Sequence, residues 1–131
     1  MAKNYINRLQ LALDSNNLDK IKECLEHLDI NVKLVKGRSV LTYAPDQSLE
    51  VASYLINNGA DVNAKDVEGL TPLIWHVLHR NYEIVELLVE KGANVTVVDR
   101  FGKNALYYLD LCSNRDCPYY RKLISILSEK K

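Results

Sequence analysis

The chain has 131 residues, 47% hydrophobic and 26% charged, with 17 basic side chains balanced by 17 acidic ones. That composition excludes a disordered, collagenous or disulfide-rich chain. No apolar run reaches the roughly 18 residues of a membrane span, and a neutral chain of pI about 6.8 lacks the global positive field that nucleic acid requires.

From the N-terminus, Leu9 and Ala12, then Ile21 and Leu25, then Asp29-Ile30-Asn31 form a faint version of a pattern that sharpens downstream. Cys24 falls on the apolar side of the second stretch, where a thiol acts as a small core residue. The next unit carries Gly37, Leu41, Glu50-Val51 and Gly59-Ala60-Asp61-Val62-Asn63-Ala64. Gly69, Leu73, Glu83-Ile84 and Gly92-Ala93-Asn94 then repeat it at steps of 32 or 33 residues. Within this third unit Gly69 suits a turn at positive φ. Thr71 can cap a helix with Pro72 in its first turn. Arg80-Asn81-Tyr82 breaks that helix, and Ile84 to Val89 form a second one ended by Gly92.

Asp99, Gly102 and Leu106 open a last unit 33 residues after Asp66, Gly69 and Leu73. Its second helix matches late: Leu123, Ile124, Ile126 and Leu127 follow Ile84, Val85, Leu87 and Leu88 by 39, so about six residues are inserted around Cys112–Tyr120. That insertion lengthens a loop, and a terminal cap is its expected role.

A fixed period of this size predicts a solenoid of helix-turn-helix units, each covering the apolar side of its neighbour. The expectation is one domain over 1–131, with units at about 5–33, 34–65, 66–98 and 99–131, the first and last acting as caps.

Asp66-x-x-Gly69-x-Thr71-Pro72-Leu73, Glu83-Ile84-Val85-x-Leu87-Leu88 and Gly92-Ala93-Asn94-Val95 resemble an ankyrin repeat. The resemblance covers roughly residues 5–128 and implies an all-α repeat solenoid with β-hairpin-like loops. Ser39-Val40 and Asn104-Ala105 depart from its Thr-Pro, and His76 and Leu109 stand where the family has a small Ala.

No catalytic chemistry is legible. Phosphate loops, a Gly-x-Ser-x-Gly elbow and His-Glu-x-x-His are absent, so no enzyme activity and no cofactor are expected. Cys112 and Cys117 lack further ligands, as do His76 and His79, so no metal site is expected. Three cysteines and a start, Met1-Ala2-Lys3-Asn4-Tyr5, without an apolar stretch favour cytoplasmic residence, with the nucleus as an alternative.

The resemblance implies protein binding through finger tips and a concave groove. Carried over, it assigns the tips to Val35, Lys36 and Arg38; to Lys65, Val67, Glu68 and Leu70; and to Arg100, Phe101 and Lys103. The groove positions are Thr42, Ile74 and Tyr107, with Leu78 and His79. Tyr43, Trp75 and Tyr108 share one repeat position and form a column that serves either as packing layer or as groove, packing being favoured. Asn63 matches the segment that an asparaginyl hydroxylase recognises. The expected role is a monomeric adaptor or inhibitor of a partner protein, with a structural or targeting subunit as the alternative. Nucleic acid and membrane are not expected partners.

Overall fold

The computed structural model describes residues 2–43, 48–112 and 118–129. Among them are seven α-helices and no strands: α1 (Ala2–Asp14), α2 (Leu18–Leu25), α3 (Leu49–Asn57), α4 (Pro72–Leu78), α5 (Tyr82–Glu90), α6 (Ala105–Cys112) and α7 (Pro118–Glu129). A short 3-10 turn at Val35–Gly37 lies between α2 and α3.

Short polar caps set where these helices begin. Thr71 Oγ1 accepts from Ile74 N at 3.3 Å with Pro72 in the first turn, and Asn104 Oδ1 accepts from Tyr107 N at 2.9 Å. The Asn at 104 therefore performs the capping expected of Thr. Asn17 and Ser48 cap α2 and α3 in the same way.

The helices form two layers. α4 packs on α6, while α5 packs on both α3 and α7, and α1–α2, α4–α5 and α6–α7 pair within their units. Leu9, Leu13 and Ile21 fill the first unit; Leu41, Val51 and Leu55 the second; Leu73, Ile84 and Leu88 the third; Leu109, Leu123 and Leu127 the last. They belong to one continuous apolar cluster. Each unit thus supplies part of a shared core, the arrangement that makes a repeat array stable only as a stack.

Among the described residues of the unit at 34–65, a turn stands where a first helix was expected. Ser39–Tyr43 forms a turn, in which Thr42 and Tyr43 N–H both donate to Ser39 O at 3.1 and 3.3 Å, and α3 is the unit's helix among the described residues. Pro45, four residues after Leu41, has no N–H to continue an α-helical ladder onto Leu41 O. Leu41 O accepts instead from His76 Nε2, 2.8 Å away on α4 of the next unit.

The fingers are turns locked by side chains. Asp66 Oδ1 accepts from Glu68 N and Leu70 N at 2.8 and 2.9 Å, and Asp99 Oδ1 accepts from Phe101 N and Lys103 N at 2.9 and 3.1 Å. Successive fingers are tied by Val67 N to Lys36 O and by Arg100 N to Glu68 O, each 3.1 Å. Gly69 sits at φ +80, and a Cβ there would lie 2.9 Å from Arg100 N. The close approach of the next finger therefore requires glycine.

Candidate binding surface

The residues assigned to the tips remain largely outside the core. Val67 is 72% and Phe101 64% exposed, and Val35, Lys36, Lys65 and Arg100 are also exposed. Glu68, Leu70 and Lys103 are half-buried. On the first-helix side Tyr107 and His79 are exposed, and Leu78 is half-buried against the core. Ile74, expected on the open face, is instead 1% exposed and belongs to the core, and Thr42 is buried beside Ser39. Ile74 is turned inward by the packing of α4, and Thr42 by the Ser39 turn that holds its N–H and hydroxyl.

Basic groups lie over rings along this face. The Arg38 guanidinium carbon is 4.3 Å from the Trp75 ring and 5.9 Å from that of Tyr43. Arg100 lies 4.8 Å from the Phe101 ring, and Lys103 Nζ 4.4 Å from that of Tyr107. Trp75 also stacks on His79 at 4.2 Å, and His79 Nδ1 donates to Trp75 O. Such cation–π pairs hold long side chains in place. Arg38 also forms an ion pair with Asp66 Oδ2 at 3.8 Å.

Tyr43, Trp75 and Tyr108, the expected aromatic column, are all half-buried. Tyr43 and Tyr108 pack against the core, and the Tyr108 hydroxyl donates to Asp99 Oδ2. Burial pushes the Asp99 carboxyl up. The Tyr108 hydroxyl, the N–H groups of Lys103 and Phe101 and the Lys103 charge outweigh it and hold the group below its usual range. The seat that Trp75 and Tyr43 provide for Arg38 has one signal in the sequence, the recurring aromatic position, and spacing alone does not bring an arginine to it.

His76 is fully buried, with Asn81 Nδ2 donating to its Nδ1 at 2.9 Å. Asn63 Oδ1 accepts from Asn94 N at 2.7 Å, tying adjacent units. Cys24 is buried, which pushes its thiol up, away from the reactive thiolate. Among the described residues no group of three or more His, Cys, Asp or Glu could hold a metal ion, and no helix is long and apolar enough to cross a membrane. Most of the insertion, Cys117 included, lies outside the described residues.

The family model for ankyrin repeats in three copies matches residues 9–99. The chain belongs to the ankyrin-repeat family. Ankyrin repeats are generally protein–protein interaction modules without enzymatic activity. The chain is 48% identical over 58 residues to the human transient receptor potential cation channel subfamily A member 1, an overlap of 44% of this chain and 5% of that protein. It is 32% identical over 114 residues to an ankyrin repeat protein of Rickettsia bellii, covering 81% of this chain and 64% of that one. With the rat ankyrin repeat and SAM domain-containing protein 6 it shares 31% identity over 119 residues, 88% of this chain and 13% of the relative. The ankyrin array here thus spans less than two thirds of the length of each of these relatives.

Proposed function

We propose that this ankyrin array is a small adaptor or inhibitor that binds a partner protein through its finger tips and the adjoining first-helix face. The observation that carries the reading is the exposure of Val67 and Phe101 at tips whose backbone is already locked by Asp66 and Asp99. A rigid backbone presenting apolar and basic side chains loses little entropy on binding, and aromatic and Arg side chains are the usual anchors of an interface. Cytoplasmic residence, a monomeric state and the absence of catalysis belong to the same proposal, as do capping roles for units 5–33 and 99–131 of a single domain. Asn63 hydroxylation would be read by mass spectrometry as one added oxygen.

Affinity purification from the native source, with wild-type chain and with Lys36, Arg38, Arg100 and Lys103 reversed in charge, tests the reading. A partner retained unchanged by the reversed chain would overturn it. Assaying the captured partner with and without the chain separates inhibitor from structural or targeting subunit.

A further inference from the structure

The finger face is basic although the chain is neutral. Lys36, Arg38, Lys65, Arg100 and Lys103 stand there against Glu68. The two remaining acids, Asp66 and Asp99, are turned into their own fingers, where backbone N–H groups bond them. A local excess of one sign attracts the opposite sign even on a neutral molecule.

Arg38 is the most constrained of these groups. Its side chain is 17% exposed, with the guanidinium over Trp75 and close to Tyr43. Its Asp66 contact, at 3.8 Å through Nε, is an ion pair too long for a hydrogen bond, and Nε has no hydrogen-bond partner. Asp66 thus holds the charge in place without satisfying the donors. A guanidinium carries five N–H donors in a planar fork that matches a carboxylate, and one already stacked on a ring loses little freedom on pairing. Two units on, Lys103 follows its turn glycine as Arg38 does and lies over a ring of its own unit, Tyr107.

We infer that this face takes an acidic peptide segment of a partner protein, with a side-chain carboxylate paired to the Arg38 guanidinium. The inference rests on the protein-binding reading above and names the partner's chemistry. Lys103 receives a second carboxylate farther along the segment, and the exposed Val67 and Phe101 side chains receive its apolar residues. A nucleic acid backbone suits the face less, because it carries a charge at every nucleotide and sets one against Glu68, where a peptide can place an uncharged residue.

Fluorescence anisotropy tests this with three labelled probes of equal length: a peptide of Asp, Glu and Leu long enough to span three fingers, its Asn, Gln and Leu counterpart, and a single-stranded RNA. The acidic peptide binds, and its amide counterpart binds at least about tenfold more weakly. Arg38→Gln risks the fold by removing the counter-charge of Asp66, so Arg38→Lys, which keeps it, is measured in parallel. Arg38→Lys weakens the acidic peptide by about tenfold through loss of the fork, with the circular dichroism spectrum unchanged. Equal binding of the two peptides, no binding of the acidic one, an unaffected Arg38→Lys variant, or tighter binding of RNA would each overturn the inference. If the peptide fails while a captured native partner is still lost on charge reversal of Lys36, Arg100 and Lys103, with the circular dichroism spectrum unchanged, the binding face stands and its acidic specificity falls.

Discussion

His76 Nε2 donates to the carbonyl of Leu41, 2.8 Å away in the preceding unit, and this bond joins two repeats through a fully buried side chain. Because Nε2 carries the proton, Nδ1 is the acceptor for Asn81 Nδ2. The pairing explains why a large polar residue occupies a position expected to be small. It packs beside the Ser39–Tyr43 turn and takes the Leu41 carbonyl, which a proline at 45 has no N–H to serve. His76→Leu is expected to fill similar volume yet destabilise the array by about 1–3 kcal/mol in urea unfolding, the cost of removing a buried donor from its acceptor. Combined with Asn81→Ala, its effect should be non-additive by about 0.5 kcal/mol or more, since the two side chains share a bond.

The Asp99 carboxylate links one finger to Tyr108 on α6. Its folded pKa lies below the unfolded value, so its stabilisation is present above the ordinary carboxylate pKa of about 3.9 and is lost as pH falls through the folded pKa. Asp99→Asn should therefore be less stable than wild type by about 1–3 kcal/mol at neutral pH. The gap should narrow steadily below about pH 4. Urea midpoints across a pH series check this, and a gap constant with pH would contradict it.

Two turn glycines separate strain from crowding. A methyl added at Gly92, where φ is +95, would have nothing within 4 Å, whereas the same methyl at Gly69 would meet Arg100 N at 2.9 Å and Asp99 Cα at 3.1 Å. Gly92→Ala should cost about 1–2 kcal/mol from backbone conformation alone. Gly69→Ala should cost at least about 1 kcal/mol more, because two fingers must separate. Thermal unfolding of both variants decides the order.

Phe101, the one phenylalanine, is 64% exposed and touches Arg100. Phe101→Ala is expected to leave stability within about 0.5 kcal/mol of wild type. Under the proposed function it should nonetheless weaken capture of the partner, by about tenfold if Phe101 is an anchor. Loss of stability without loss of binding would assign the ring to hairpin support.

Much of the fold is legible in the chain because the period specifies it. The turn glycines, the cap at Thr71, the helix break near Asn81 and the core positions Leu41, Leu73 and Leu88 are set by local chemistry and by spacing. The face is partly legible: Val67 and Phe101 at the tips are exposed as expected. Ile74 is not, because a fraction of a turn in how α4 is rotated about its axis decides whether a residue next to the first apolar position faces the neighbouring unit or solvent, and repeat position alone does not encode that rotation.

The sequence by itself determined the repeating unit and its family, since these depend on contacts between residues close along the chain. Only the tertiary structure decided the side-chain pairs that join elements brought together by packing. His76 reaches Leu41, Arg38 settles on Trp75, and Tyr108 closes onto Asp99 within the last unit only once its helix is packed. A period states which positions are equivalent. It does not state how far a side chain leans across the gap between two stacked units, which packing and rotamer choice settle together.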